Sequence, residues 1–263
     1  MISPVAARAY LDRDRYHNLM LLGALDFETV RSLWGYERDG ELAALALSVE
    51  QHGPLPEVWP TIMLVATDGD ALAQLLAQNN WPAPATWTIQ RQDLLPILEE
   101  RLGSKHDPVR GLLYYIATTP PHRPHPAVRR LTFEDADTLD LTPCALSPTA
   151  LRNWLKRGWR IFGFVKNGEL LGHALAAYPI GDTEEVSAVY TAPRSRGQGI
   201  ASAVVAAAVA DIMSRGHRAV YVTTKANIAS QKVATGVGFV PLFETWDVLA
   251  IDYRSAKSQQ AAG

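Results

Sequence analysis

Residues 184–202 read EEVSAVYTAPRSRGQGIAS, and this stretch decides the fold. The largely apolar run up to Thr191 predicts a strand, and Pro193 ends it. From Ile200 an apolar run continues to about Arg215, which predicts a buried helix. The glycines between strand and helix allow a ligand to approach the backbone, and the first N–H groups of a helix attract an anion. The stretch therefore predicts a site for a phosphate or pyrophosphate.

Two other nucleotide-binding patterns share part of this loop. A dinucleotide-binding fingerprint has a glycine or alanine where Ser202 stands and an acidic residue after the next strand. That next strand, at 219–224, is followed by Lys225. The P-loop of nucleoside triphosphatases ends in Gly-Lys-Ser/Thr, which is absent from the segment. Both patterns therefore fit this sequence poorly.

The loop resembles the pyrophosphate signature of the GNAT superfamily of acyl-CoA-dependent acyltransferases: Arg or Gln, two residues, Gly, one residue, then Gly or Ala. Here the signature reads RSRGQG at 194–199, after the strand end VYTAP at 189–193. A later segment, NIASQKVATGVGF at 227–239, is similar to the Asn-led helix and Gly-Phe turn of that family. Because three motifs occur in the family's order, the resemblance implies a GNAT domain over about residues 127–253.

The resemblance implies that acetyl-CoA is the cosubstrate and that these motifs bind it. The backbone of Val189, Tyr190 and Thr191 would pair with the pantetheine arm as an added strand. Asn227 and Ser230 would contact the arm near the thioester, although an ordinary helix N-cap is the other interpretation of Asn227. The loop and the first helical turn would hold the pyrophosphate through Arg194, Arg196, Gly197, Gln198, Gly199, Ile200, Ala201 and Ser202.

Acyl transfer to an amine needs a base, a partner for the oxyanion and a proton for the departing thiolate. Glu185 is the predicted base, because strand alternation places it on one face with Ser187, Val189 and Thr191 and because the family often carries a glutamate near the start of this strand. Glu184 is expected on the opposite face. A pair of solvated glutamates at a strand end is the alternative interpretation. A backbone N–H near Tyr190 or Thr191 would meet the oxyanion.

The sequence departs from the family at one catalytic position. Many members carry a tyrosine as general acid where Ala234 stands here, after Val233. A thiolate with a pKa near ~8.5 is a good leaving group, so this loss is compatible with activity. We expect an N-acetyltransferase that moves an acetyl or acyl group to a primary amine of a small molecule or peptide, by direct attack in a ternary complex. A catalytically silent acyl-CoA sensor and an O-acyltransferase are the alternatives.

A proline-rich stretch, TTPPHRPHP at 118–126, separates two halves that share a hairpin pattern. The pattern is GYERDGELAALAL from Gly35 and GFVKNGELLGHAL from Gly163, an offset of 128 residues. An Asp-Gly or Asn-Gly between apolar runs is typical of a hairpin turn. A chance recurrence of a common hairpin is the simpler explanation, but an offset near half the chain favours a duplicated domain.

We therefore predict four segments: a degenerate GNAT-like domain at 1–119, a linker at 120–126, the GNAT domain at 127–253 and a flexible tail at 254–263. The expected fold is α/β (α+β), with a mixed, mostly antiparallel central sheet flanked by helices in two tandem lobes. In the first half the pattern predicts helices at 10–25, 70–78 and 91–102 and strands at 61–66 and 112–118. Its loop, TDGD at 67–70, is acidic and would repel a pyrophosphate, so this half is expected to complete the substrate cleft or the sheet packing.

Composition excludes several classes of protein. With 263 residues, 48% of them apolar, the chain can bury a core, which excludes a disordered protein. A net charge of −2 gives no electrostatic reason to expect nucleic acid or an anionic membrane as a partner. The uncharged run at 199–210 is shorter than the ~20 residues of a membrane span.

The remaining expectations concern location, metals and assembly. The single cysteine, Cys144, cannot form an intramolecular disulfide, and the first residues lack the apolar core of a signal peptide, so we predict a cytoplasmic protein. The histidines of the proline-rich stretch have no nearby cysteine or acidic ligands, so we predict no metal. A homodimer is compatible with the sequence, which does not identify the amine acceptor or the preferred acyl chain.

Overall fold

The computed structural model describes residues 2–27, 30–50, 60–82, 85–103, 110–117, 119–121 and 125–250. The chain divides into two compact units, which we call unit 1 (residues 1–112 and 244–263) and unit 2 (residues 113–243). Within the described ranges, none of the helices combines the length and the apolar character that crossing a membrane requires.

Unit 1 begins with two short helices, continues with three consecutive strands and then alternates helices with strands. In chain order its elements are α1 (Pro4–Leu11), α2 (Leu19–Phe27), β1 (Val30–Arg38), β2 (Glu41–Glu50), β3 (Pro60–Ala66), α3 (Gly69–Gln78), β4 (Ala85–Ile89), α4 (Leu95–Leu102) and the start of β5 (Arg110–Ala117). Strands β1, β2 and β3 are antiparallel, whereas β3 and β4 are parallel. The parallel pair requires a crossover, which α3 supplies.

Unit 2 takes over within β5 and contains the remaining elements. They are β6 (Val128–Arg130), α5 (Asp135–Thr138), α6 (Pro148–Lys156), β7 (Arg160–Lys166), β8 (Glu169–Ile180), β9 (Thr183–Thr191), α7 (Ile200–Ser214), β10 (Arg218–Thr224), α8 (Ile228–Val237) and the start of β11 (Val240–Ala250). The strands lie in the order β5-β10-β9-β8-β7-β6, with antiparallel pairs from β6 to β9 and a parallel pair β9–β10. This mixed, mostly antiparallel sheet with flanking helices confirms the predicted fold class.

Two apolar clusters cover the two faces of the unit 2 sheet. Helix α7 packs across β7, β8, β9 and β10, and its side chains belong to one cluster with Ala174, Val186 and Tyr221. The other face carries a second cluster, which includes Leu175, Ala177 and the residues of α6. Helix α7 is apolar nearly all round because one side meets the sheet and another meets α8.

The repeated hairpin pattern is reproduced in the backbone. The turn residues Asp39, Gly40, Asn167 and Gly168 all have positive φ, at 55°, 79°, 53° and 79°, as in the primed turns that join antiparallel strands. The register then shifts at equivalent places in the two hairpins. In β1–β2 the pairs Tyr36↔Ala44 and Glu37↔Leu42 flank the shift, and in β7–β8 the pairs are Phe164↔Gly172 and Val165↔Leu170. The offset of 128 residues therefore relates the irregularities as well as the sequences.

Several expected elements differ in detail. The helix expected at 10–25 is broken between α1 and α2, where the Asn18 side chain donates to the carbonyl of Leu11 at 3.0 Å. The helix expected at 91–102 starts as a single 3₁₀ turn at Gln92–Leu94 before α4. Strand β4, which the pattern did not predict, buries Trp87 and Ile89.

The ends of the compact units also differ from the expected segment limits. Residues Trp246–Ala250 pair with β4, so this part of β11 belongs to unit 1, although it lies within the predicted 127–253 domain. Residues 122–124 of the predicted linker and the whole predicted tail at 254–263 lie outside the described residues.

Candidate functional site

Strands β9 and β10 separate towards their carboxyl ends and open a cavity in unit 2. Their parallel register runs from Thr183↔Arg218 to Val186↔Tyr221, and no pair between these strands follows among the described residues. The cavity beside the separated ends has a volume of about 550 Å³. It is lined by Val189, Tyr190, Thr191, Ser195, Arg196, Gly197, Gly199, Ile200, Ala201, Ser202, Tyr221, Asn227, Ala229, Ser230 and Val233.

This lining brings together most of the residues expected to bind acetyl-CoA. The strand end, the glycine loop, the first turn of α7 and the start of α8 all reach the cavity. Arg194 and Gln198 are the two predicted residues that are not among the lining. The Arg194 guanidinium instead donates to the Glu169 carboxylate at 2.7 Å, on the exposed surface.

The glycine loop leaves the start of α7 open to a ligand. Gly197 and Gly199 both have φ of 76°, a conformation that side chains rarely adopt, and open space surrounds both positions. Gly199 occupies the N-cap position of α7 and supplies no side-chain cap, whereas Ser147 caps α6 and Asn227 caps α8. The first N–H groups of α7 therefore point to the cavity without a capping side chain. With Arg196 beside them, these groups fit a pyrophosphate.

Strand β9 bulges where it meets the cavity. His173 pairs with Tyr190, and Leu175 pairs with Ser187. Two residues of β9, Ala188 and Val189, therefore lie opposite the single β8 residue between His173 and Leu175. Ala188 has φ of 47°, which is uncommon for a residue other than glycine. A bulge interrupts the ladder of backbone hydrogen bonds and bends the strand. β9 pairs with β8 again from Tyr190, and the extra residue leaves backbone groups beside the cavity without a ladder partner. The bulge also ends the alternation of faces, because Val189 packs with the cluster beneath α7 and not on the face of Glu185 as the sequence predicted.

His173 supports this bulge from the neighbouring strand. It is 4% exposed and makes a hydrogen bond with the backbone of Ala188. Burial lowers the pKa of His173 to about 4, although the bond to Ala188 opposes this shift, so the ring is neutral at physiological pH. Its Nδ1 has no hydrogen-bond partner among the described residues, and we infer that Nε2–H donates to the Ala188 carbonyl.

Glu185 lies on the other face of the sheet from α7, beside partly exposed side chains. Glu185 pairs across the strands with Ala177, and Ser187 pairs with Leu175. Ala177 and Leu175 belong to the cluster that contains Trp154, so Glu185 and Ser187 face that cluster. Burial raises the pKa of Glu185 to about 7, and a hydrogen bond with Ser187 only partly offsets this. A carboxyl group that titrates near neutrality is suited to exchange protons with a substrate at physiological pH. Glu185 is not among the residues that line the 550 Å³ cavity.

Glu184 lies on the opposite face, as the alternation predicts, and is buried in a group of charges beneath α7. Its carboxylate accepts hydrogen bonds from Arg160 and Arg215 and lies 2.8 Å from the Nδ1 of His217. Arg160 also donates to Asp211 at 2.7 Å. Burial by itself would raise the pKa of Glu184, but the bonds from Arg215 and Arg160 outweigh it and hold the pKa below its ordinary value. These contacts indicate a structural charge cluster.

The N-terminal end of α8 contributes both a cap and a polar pair. The Asn227 side chain accepts a hydrogen bond from the N–H of Ser230 at 3.1 Å, so it is a helix N-cap that also lines the cavity. The Ser230 Oγ lies 2.8 Å from the Tyr221 Oη. Four residues that were not among the predicted site residues also line the cavity: Ser195, Tyr221, Ala229 and Val233. Of these, Tyr221 lies outside the quoted motifs, because its contribution depends on which side chains β10 turns to the cavity.

The corresponding turn of unit 1 is closed by its own side chains. Between β3 and α3, the Asp68 carboxylate caps the helix by accepting from the N–H of Ala71 at 2.9 Å. The Arg38 guanidinium donates to the same carboxylate and lowers the pKa of Asp68 far below its ordinary value, with the Ala71 bond adding to the effect. This helix start already carries a negative charge and therefore disfavours a pyrophosphate.

Residues 128–239 match the family model of the acetyltransferase (GNAT) family. The chain carries a GNAT acetyltransferase domain. That domain contains the glycine loop, the bulged strand and the cavity, all within unit 2. No curated protein matches the sequence.

Solved structures similar to the chain extend over both units. A GCN5-related N-acetyltransferase from Sphaerobacter thermophilus is 16% identical, with 81% of this chain and 78% of that chain covered at a TM-score of 0.57. One from Kribbella flavida is 13% identical, with 92% and 97% covered and a TM-score of 0.58. A tandem GNAT protein from the clavulanic acid biosynthesis pathway is 13% identical, with 89% and 88% covered and a TM-score of 0.53. At these identities the similarity concerns the fold alone.

Proposed function

We propose that the protein is an acetyl-CoA-dependent N-acetyltransferase that acts on a primary amine of a small molecule or peptide. The observation that carries this proposal is the cavity at the uncapped start of α7, between the separated ends of β9 and β10. Gly197, Gly199 and Arg196 would hold the pyrophosphate, and the backbone of Val189 to Thr191 would pair with the pantetheine arm. The membership of residues 128–239 in the GNAT family supports acyl transfer as the reaction class.

The reaction would proceed by direct attack of the amine in a ternary complex. Glu185 would accept the proton that the nitrogen loses, because its raised pKa keeps it close to the pH at which it works. A backbone N–H freed by the bulge, near Tyr190, would stabilise the oxyanion. The acceptor would then approach from the sheet face that carries Glu185, Ser187 and Trp154.

We further propose that the first half, at 1–119, is a degenerate copy of the 127–253 domain that does not bind the cofactor. The matching hairpin irregularities and the fold similarity to a tandem GNAT protein support the duplication. The capping of α3 by Asp68 supports the loss of cofactor binding. We also propose that the enzyme is cytoplasmic.

Cofactor binding is tested by a thermal shift with acetyl-CoA and a pair of glycine variants. The wild type is expected to gain stability with added acetyl-CoA, and Gly199→Glu is expected to lose this gain because a carboxylate would occupy the pyrophosphate position. Gly158→Glu is the matched control, since Gly158 has φ of 77°, open surroundings and a position outside the cavity. A wild type that acetyl-CoA does not stabilise would refute the proposal.

A second function, a catalytically silent acyl-CoA sensor, is favoured by one observation. Ala234, which stands at the usual tyrosine position, is fully buried and provides no proton donor. Release of free CoA thiol with a panel of amines and a panel of alcohols separates the three alternatives. Amine-dependent release supports the N-acetyltransferase, alcohol-dependent release supports an O-acyltransferase, and binding without release supports the sensor.

A further inference from the structure

The cavity contains a phenol that the family motif does not account for. Ala234 lies in the apolar cluster beneath α7, and Tyr221 belongs to the same cluster while also lining the cavity. Tyr190 lines the cavity too, but its ring packs against the opposite cluster and stacks on His173 with centroids 6.0 Å apart. Tyr221 is therefore the tyrosine whose side chain faces the α7 and α8 side, where the usual tyrosine is missing.

Tyr221 is held at the vertex of the separated strands. It forms the last register pair of β10 with β9, opposite Val186, immediately before the strands diverge. Its ring packs against Phe239, with centroids 5.5 Å apart, and the residue is 2% exposed. Packing of this kind restricts the ring, so the position of the hydroxyl is defined by the fold.

Ser230 completes a pair of hydroxyl groups at this point. Its Oγ lies 2.8 Å from the Tyr221 Oη, and Ser230 also lines the cavity. When the Ser230 hydroxyl donates to the Tyr221 oxygen, the Tyr221 hydrogen is available to a ligand in the cavity. Burial raises the pKa of Tyr221, against the effect of Ser230, which keeps the phenol protonated at neutral pH.

We propose that Tyr221, with Ser230 behind it, is the proton donor to the departing thiolate of coenzyme A. This inference rests on the proposed acyl transfer. A neutral amine attacks the thioester carbon to form the C–N bond, and the nitrogen passes its extra proton to Glu185. The C–S bond then breaks with its electron pair on sulfur. The Tyr221 proton moves to that sulfur, the Ser230 proton moves to the Tyr221 oxygen, and water replaces the Ser230 proton while Glu185 returns its own proton to water.

The test compares Tyr221→Phe and Ser230→Ala with Tyr115→Phe. Tyr115 lies in the same apolar cluster and is outside the cavity lining, so its variant controls for loss of a buried phenol. We expect kcat to fall about 100-fold in Tyr221→Phe, with less than a threefold change in KM for acetyl-CoA. Ser230→Ala should show a smaller loss in kcat, and Tyr115→Phe should match the wild type.

A second readout needs only free CoA. The ultraviolet absorbance of the thiolate gives the pKa of the CoA thiol bound to each protein. A donor at the sulfur lowers that pKa, so Tyr221→Phe should raise it by about one unit relative to the wild type. Binding of CoA with the same thiol pKa and the same kcat in Tyr221→Phe would overturn this inference while leaving the proposed function intact. Failure of the wild type to bind CoA would overturn both.

Discussion

Glu185→Gln should reduce activity and, above neutral pH, increase stability. The substitution keeps the size of the side chain and removes its charge. A positioned general base contributes about 10²–10⁴-fold to a rate, so we expect kcat/KM for the amine to fall by that factor. With a pKa of about 7, only about a tenth of the wild-type carboxyl groups are ionised at pH 6, so the wild-type rate should rise between pH 6 and pH 8.

The expected gain in stability comes from the same raised pKa. In the folded protein the pKa of Glu185 is about 7 against an ordinary value of 4.5, so folding disfavours the carboxylate. The folded state then holds its proton more tightly, and stability falls as the pH rises from about 4.5 to about 7. For a fully buried group, a pKa shift over this interval lowers the free energy of unfolding by ~3 kcal/mol. Because Glu185 is partly exposed, we expect ~1–2 kcal/mol, or about 2–8 °C in Tm, in favour of Glu185→Gln above pH 7.

The neighbouring glutamate is the matched control, because it should respond in the opposite direction. Glu184→Gln removes a buried charge that Arg160 and Arg215 contact, so it should destabilise the fold by about 3–5 kcal/mol. The free energy of unfolding would be measured in urea at pH 5 and pH 8, and activity would be followed by thiol release. Equal stability of Glu185→Gln and wild type at pH 8, together with an unchanged rate, would show that Glu185 is a solvated strand end.

Two further predictions concern His173 and Cys144. In the His173→Leu variant, position 173 carries the residue type of the equivalent position in the first hairpin, Leu45. In the wild type, the free energy of unfolding should decrease as the pH falls from 6.5 towards 4, because only the unfolded histidine is readily protonated, and the variant should lack this decrease. Between pH 7 and pH 5 the free energy of unfolding in urea should decrease by ~2 kcal/mol less in this variant than in the wild type. Equal decreases in the two proteins would contradict the prediction. Cys144 is buried and its pKa is raised to about 11 by burial, so the native protein should not react with a thiol reagent at pH 8 and should react once unfolded. Prompt labelling of the native protein would show that Cys144 is accessible.

The local order of the site could be predicted because it depends on short-range chemistry. Pro193 ends β9, Gly199 permits the positive φ at the start of α7, and Asn227 caps α8, and each of these preferences acts within a few residues. The hairpin turns at Asp39 and Asn167 follow from the same kind of preference. The family resemblance and the mixed sheet could therefore be predicted from these local features alone, without knowledge of any tertiary contact.

Side-chain contacts across strands could not be predicted in the same way. Arg194 has the charge expected of a pyrophosphate ligand, yet it pairs with Glu169, which lies 25 residues away in the chain. The partial break of the ladder at Ala188 depends on the register of β8 against β9, and no local preference favours a positive φ at an alanine. Periodicity indicates a face of a strand but does not show which neighbours cover it.

The sequence by itself determined that unit 2 has a glycine-rich turn between a strand and a helix, because proline ends the strand and glycine adopts the positive φ of the turn through local preferences. It also determined that the two halves share a hairpin. Only the tertiary structure decided how two adjacent glutamates differ. Glu184 is held ionised among arginines beneath α7, whereas Glu185 is partly buried and has no cationic partner among the residues that the structure describes. The physical reason is that a carboxylate's pKa depends on desolvation and on neighbouring charges, and both are set by elements distant in the chain.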